Sequence, residues 1–152
     1  MSFDEWLAND RVRKHVPSRD EVSNLLSAAG RNAVDATAAG LSVDRQFMLA
    51  YESALGLGMA AFAAAGYRTR SAGHHAIVIA ALPLLLGTEL SRTADYLDDC
   101  RKLRHVLAYE RVGLARQPEV ERLLEVGREL RQRVLAWLAE EHPELLPEIE
   151  SE

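Results

Sequence analysis

Apolar residues recur three and four positions apart along most of this chain, and no stretch shows sustained period-two alternation. The first spacing predicts amphipathic helices, whereas a half-buried strand needs strict alternation. Ala, Leu, Arg and Glu, which favour helices, dominate the composition, and aromatic residues make up only 6% of it. We therefore predict an all-α protein, an up-down bundle of four or five helices whose short connections make neighbours antiparallel.

Capping residues, glycines and prolines divide this pattern into five helices. Ser18 and Ser42 each precede an acidic first turn and are predicted N-caps. The helix after Ser71 is apolar nearly all round, which predicts the central and most buried position, and Pro83 either kinks it or ends it. The predicted helices cover 18–40, 42–66, 71–86, 88–111 and 119–140.

The length of 152 residues suits one compact domain. We expect an N-terminal arm over 1–17, with Phe3, Trp6 and Leu7 docked on the body. The helical bundle is expected over 18–140, and an acidic C-terminal tail over 141–152 is expected to fray.

Several classes of protein are excluded by composition. The single cysteine, Cys100, excludes a disulfide framework and a Cys-based zinc finger. The N-terminus lacks the apolar stretch of a signal peptide, and the longest apolar run, 76–86, is too short to span a bilayer. The net charge of -5 argues against a uniformly basic nucleic-acid binder but is compatible with a local basic patch. We expect a cytoplasmic protein with no membrane contact.

One face of the fourth predicted helix carries groups that could act on a phosphate. At about 100° per residue, the polar side chains there fall within an arc of roughly 140°, opposite the apolar stripe of the same helix. They are Arg101, Arg104, His105 and Tyr109. Arginine offers a rigid donor fork, histidine moves protons near neutral pH, and tyrosine stacks or donates. The alternative is an idle, solvated face whose arginines pair with nearby aspartates.

His74 and His75 form a second candidate group. Adjacent helical residues point about 100° apart, and no further His or carboxylate lies four positions away, so we predict no metal site. Either histidine is a satisfied core residue, or one reaches the Arg101–Tyr109 face from a neighbouring helix. Arg68 and Arg70 add positive charge in the preceding segment, which we interpret as a loop; a merely solvated loop is the alternative.

The signatures of cofactor enzymes are missing from the sequence. It contains no P-loop, no Rossmann glycine pattern, no His-Glu-x-x-His, no nucleophile elbow and no repeated Glu-x-x-His. We therefore predict no cofactor.

The segment Arg104-His105-Val-Leu-Ala-Tyr109, which follows a buried helix opening Gly73-His74-His75, resembles HEPN (higher eukaryotes and prokaryotes nucleotide-binding) domains. The resemblance covers roughly residues 18–140. It implies a small all-α bundle that forms a homodimer. Many HEPN proteins are metal-independent ribonucleases with a site shared between two copies, and others are non-catalytic partners of a nucleotidyltransferase in toxin–antitoxin pairs.

Carried onto this chain, the resemblance makes Arg104 the motif arginine and His105 the polar residue after it. Tyr109 occupies the position of the family's catalytic histidine, and its phenol is a poor general base at neutral pH. The expected function is binding of RNA or a nucleotide phosphate, and the reaction, if there is one, is metal-independent endoribonuclease cleavage with His105 as acid or base. The alternative is a non-catalytic module that pairs with a nucleotidyltransferase or another protein. The expected ligand-binding residues are Arg101, Arg68, Arg70, His74 and His75.

Overall fold

The computed structural model of the protein describes residues 2–70 and 74–147. It confirms the predicted all-α bundle. Short 3-10 turns at Thr88–Leu90 and Pro143–Leu145 accompany the helices, and a two-stranded ribbon is formed by β1 (Val12–Lys14) and β2 (Tyr67–Thr69). The helices are α1 (Phe3–Ala8), α2 (Arg19–Asp35), α3 (Val43–Ala64), α4 (His74–Leu86), α5 (Ser91–Tyr109) and α6 (Gln117–Glu141).

Serine caps begin the two helices where the sequence predicted them. Ser18 Oγ accepts a hydrogen bond from Glu21 N at 3.1 Å, and Ser42 Oγ accepts one from Arg45 N at 3.1 Å. Each cap satisfies a backbone N–H that has no partner within its helix. The predicted start of the next helix, at Ser71, lies outside the described residues, and α4 continues past Pro83 to Leu86.

The central helix is α3, so the prediction that the helix after Ser71 holds this position was wrong. α3 packs against α2, α4, α5 and α6, whereas α4 leaves Ala80 and Leu84 exposed. The difference arises because small side chains on α3 let neighbours approach from every side. In the described part of the chain, α3 alone is long and apolar enough to cross a membrane, but 72% of that apolar window is buried inside the bundle.

Two glycines of α3 lie at close contacts with neighbouring helices. A Cβ built on Gly56 would lie 3.3 Å from Ala29 Cβ on α2, and one on Gly58 would lie 3.1 Å from Val78 Cγ1 on α4. Glycine inside a helix costs about 1 kcal/mol relative to alanine. Here the loss is offset by the packing that close approach allows.

The N-terminal arm is folded onto the bundle. Trp6 and Val12 are buried, and β1 pairs antiparallel with β2 in the register Val12↔Thr69. The segment that we interpreted as a loop, including Arg68, is therefore a strand. Strands of three residues are too short to show period-two alternation, and their pairing joins distant parts of the chain.

The beginning of the C-terminal tail is also held in place. Leu145 is buried, and Arg19 Nε donates to Leu146 O at 3.2 Å. The expected fraying is therefore not seen at these positions, and the predicted tail beyond residue 147 lies outside the described residues.

Alanine should stabilise α6 at Gly127 but not α3 at Gly58. No described atom lies within 4 Å of a Cβ built on Gly127, so Gly127→Ala should raise the free energy of unfolding by about 0.5–1 kcal/mol through helix propensity. Gly58→Ala should gain less or destabilise, because buried Val78 must move. Urea unfolding followed by circular dichroism measures both; equal stabilisation by the two substitutions would contradict the packing argument.

Candidate functional site

Five polar side chains from three helices converge on the inner side of α5. We call them the arginine cluster: Tyr51 and Glu52 on α3, His75 on α4, and Arg101 and Arg104 on α5. Tyr51 Oη lies 3.3 Å from His75 Nδ1, and Arg104 Nη2 lies 3.5 Å from Glu52 Oε1. The charges of both arginines act on the pKa of His75, which places that ring within their field.

Helical spacing explains how α5 supplies both guanidinium groups. Arg101 and Arg104 are three residues apart, so their side chains lie on the same side of the helix about one turn apart. Arg101 Nε also donates to Asp98 Oδ1 at 2.8 Å. That hydrogen bond is the first cause of the lowered pKa of Asp98, which therefore stays ionised beside Arg101.

Burial keeps the two remaining rings of the cluster neutral. Loss of hydration, followed by the charges of His74, Arg104 and Arg101, lowers the pKa of His75 to about 4. Burial also raises the pKa of Tyr51, against the opposing effect of the arginines. At neutral pH the cluster thus contains an unprotonated imidazole and a phenol that keeps its proton.

Arg104 has an unused hydrogen-bond donor. Its Nη2 reaches Glu52 only at the 3.5 Å limit, and its buried Nε has no hydrogen-bond partner among the residues that the structure describes. A buried donor left unpaired costs about 1–3 kcal/mol. A ligand that contacts Arg104 without rearrangement would meet its Nη groups rather than this shielded Nε.

His105 and Tyr109 lie on the other side of this arrangement. Both are exposed, and their rings contact each other in a tilted arrangement with centroids 4.9 Å apart. Neither contacts Arg104 among the described hydrogen bonds and ring contacts. The predicted polar face of α5 is therefore divided into an inward part with the arginines and an outward part with His105 and Tyr109.

The other predicted ligand-binding residues are distributed between different places. The His74 ring packs edge-on against His75, with centroids 4.4 Å apart, but lines a separate cavity together with Arg68. Arg70 Nη1 pairs with Asp10 Oδ1 at 3.3 Å. Of the five expected residues, the structure brings only His75 and Arg101 to the arginine cluster.

Sequence reasoning missed Tyr51 and Glu52. Tyr51 resembles an ordinary core residue because it lies among apolar neighbours. Glu52 carried a usable signal, since it is the only charged residue of α3 after Arg45. A lone carboxylate in an apolar helix needs a partner, and here the partner is Arg104.

Other reactive groups are inert or lack the geometry of a site. Burial raises the pKa of the Cys100 thiol to about 11, so little thiolate forms at neutral pH. Within residues 2–70 and 74–147, no group of three or more His, Cys, Asp or Glu side chains is arranged to hold a metal ion.

No protein-family model, curated protein or solved structure matches this chain.

The lowered pKa of His75 should make stability fall in mild acid. In the unfolded chain His75 has the ordinary pKa of 6.5, and in the folded chain its pKa is about 4. Between these values the unfolded state binds a proton that the folded state does not bind. The contribution of His75 to the free energy of unfolding is therefore fully present above pH 6.5 and is lost as the pH falls towards about 4. Between about pH 7 and pH 4.5, wild type should lose about 1–2 kcal/mol more than His75→Gln, allowing for partial exposure. Urea unfolding across this range measures the difference.

His105→Gln is the matched control, because His105 is exposed. It should follow the wild-type profile. A His75→Gln profile that also matches wild type would show that His75 is not the residue that burial keeps neutral.

Proposed function

We propose that this chain binds a phosphate group of RNA or of a nucleotide at the arginine cluster. The observation that carries the proposal is the pair of guanidinium groups of Arg101 and Arg104, held on one side of α5 beside a neutral His75. A guanidinium and a phosphate form strong, charge-assisted hydrogen bonds in fixed geometry. Both arginine side chains remain partly exposed, which supports access by phosphate oxygens.

Two carboxylates balance the arginines before any ligand arrives. Asp98 accepts a hydrogen bond from Nε of Arg101, and Glu52 makes one long contact with Nη2 of Arg104. These contacts leave further guanidinium N–H groups for a ligand. A terminal nucleotide phosphate carries up to about two negative charges, whereas an RNA phosphodiester carries one, as a carboxylate does, so charge alone favours the terminal phosphate.

If the chain cleaves RNA, the geometry favours His75 rather than His105 as the proton acceptor. His75 lies within the field of both arginines, while His105 is exposed and packs against the Tyr109 ring. Arg104 would stabilise the charge that develops on the phosphate, and Tyr51 would donate a hydrogen bond. A bound phosphate would raise the pKa of His75 from about 4 towards the useful range. This reaction would be a metal-independent endoribonuclease step.

The resemblance to HEPN domains supports RNA or a nucleotide as the source of the phosphate and a cytoplasmic protein as its setting. It also supports a homodimer, in which His105 and Tyr109 of one copy would face the second copy.

Removal of either arginine should weaken binding of single-stranded RNA. Arg101→Gln and Arg104→Gln should each reduce affinity by about five- to tenfold in low salt without divalent ions, because each removes a charge-assisted contact to phosphate. Fluorescence anisotropy with a labelled oligonucleotide measures the affinity, and thermal unfolding verifies that each variant is folded.

Arg92→Gln is the matched control on the same helix. Arg92 is exposed and precedes Arg101 by nine positions, which puts it on the opposite side of α5 at about 180°. Equal losses of affinity in all three variants would indicate diffuse electrostatic attraction and contradict the proposed site.

Cleavage assays on the same oligonucleotide would assign the proton acceptor. Loss of activity in His75→Gln with activity retained in His105→Gln supports His75 as the acceptor, and the reverse contradicts it.

An exposed apolar surface favours a second candidate function, a non-catalytic interaction module. Tyr109 is 72% exposed, Val112 84% and Leu114 37%, all around the end of α5. Asp44 holds this connection in shape by accepting from Gly113 N at 2.7 Å and Ala115 N at 3.2 Å. Such a rigid apolar patch is suited to contact with a second copy or with a protein such as a nucleotidyltransferase.

A charge placed in this patch should separate a homodimer. Wild type should run as a dimer by light scattering at micromolar concentration, and Val112→Asp should run as a monomer, because association would bury the new carboxylate. Val16→Asp, at another exposed valine, is the control and should remain dimeric. A monomeric wild type would exclude the homodimer and leave a heterologous partner for the patch.

A further inference from the structure

A cavity of about 680 Å³ lies apart from the arginine cluster. It is bounded by the start of α2, the second half of α3, β2 and the start of α4, and none of Tyr51, Glu52, Arg101 and Arg104 lines it. Its volume is within the range of about 300–1,000 Å³ that is usual for small-molecule sites.

The cavity is lined by both apolar and polar side chains. Met59 on α3 is only partly buried, although it packs against the hydrophobic core, and its flexible thioether can adapt to different shapes. Removal of such surface from water by a ligand would contribute about 25 cal/mol per Å². The apolar lining residues that the argument uses are Leu25, Met59, Phe62, Ala63 and Val78.

A small polar group occupies one side of the cavity. Glu21 pairs with His15 Nε2 at 2.7 Å and with Arg68 Nη2 at 3.4 Å. The other nitrogens of Arg68 and both ring nitrogens of His74 have no hydrogen-bond partner among the described residues. The polar side therefore presents open donors from two side chains.

We propose that this cavity binds a small amphipathic carboxylic acid, with its apolar body on the walls and its carboxylate against Arg68 and His74. The site is separate from the proposed phosphate site and contains two of the three expected ligand-binding residues that the arginine cluster leaves out, Arg68 and His74.

The alternative head group is an amine bound to Glu21, and the contacts of Glu21 argue against it. Although partial burial alone raises the pKa of Glu21, the contacts with His15 and Arg68 lower it below its usual value. The carboxylate is thus ionised and already balanced by two donors. The Arg68 side chain is 48% exposed, and only one of its guanidinium nitrogens contacts Glu21 among the described residues. An anion can therefore accept hydrogen bonds from the remaining N–H groups of Arg68, whereas an amine would have to compete for the carboxylate of Glu21.

Four ligands that differ only in head group or chain test the proposal: octanoate, octanamide, octylamine and acetate, each titrated by calorimetry into the full chain. Octanoate should bind with submillimolar affinity, and the amide and the amine about tenfold more weakly, because they lack the charge-assisted contact. Acetate should bind at least about tenfold more weakly than octanoate, because it lacks the apolar body. Equal binding of octanoate, octanamide and octylamine, preference for octylamine, or no binding of octanoate below about 1 mM would each overturn the proposal.

Variants of the protein distinguish contacts with the carboxylate of the ligand from contacts with its apolar chain. Arg68→Gln should weaken octanoate by about tenfold and leave octanamide unchanged, which a general loss of structure would not do. Arg128→Gln, an exposed arginine on α6 paired with Glu125, is the matched control and should change neither. Ala63→Phe and Met59→Trp each place a large side chain in the cavity and should abolish binding of octanoate. The second cavity-filling variant is needed because either substitution could prevent folding. Unchanged octanoate binding by a folded variant would overturn the assignment of the ligand to this cavity.

Discussion

Close packing around α3 is the constraint on which the rest of the structure depends. Gly56 and Gly58 let α2 and α4 approach until a methyl group at either position would press on Ala29 or Val78. Ser53, buried in the described core, donates to Ala29 O at 2.7 Å, so the contact with α2 is also satisfied in hydrogen bonds. Because α3 is surrounded, the polar side chains in its middle find their partners on neighbouring helices.

That enclosure sets the electrostatics of the arginine cluster. Tyr51 and Glu52 come from the packed helix, and the arginines reach them from α5. Reduced hydration makes each charge dependent on a partner, which is why Glu52 and Asp98 accompany the two guanidiniums. It also keeps His75 unprotonated, since burial disfavours a charge there and the positive charges of Arg101 and Arg104 repel a third. The charges of Arg101 and Arg104 are thus nearly balanced by those of Asp98 and Glu52, and Nε of Arg104 has no partner among the described residues.

Sequence reasoning correctly predicted the features that depend on local spacing along the chain. It failed for the features that depend on contacts between distant parts of the chain. Ser18 and Ser42 were identified as caps because a cap is satisfied within three residues. The pairing of Val12 with Thr69 left no local signal. Spacing also gave the relative directions of Arg104 and His105 on α5, but not which of them faces α3, because that depends on how the helices dock. Glu52 could have been recognised from its apolar surroundings, although its partner could not.

The adjacent histidines connect the two proposed sites. Their directions differ because they are consecutive on a helix, so His75 turns to the arginine cluster and His74 to the cavity beside Arg68. Their rings nevertheless touch, and positive charge on His74 contributes to the lowered pKa of His75. An anion bound at His74 would lie close to His75, and its negative charge would raise the pKa of His75. Linkage makes this coupling reciprocal, so anion binding in the cavity and protonation of His75 would favour each other.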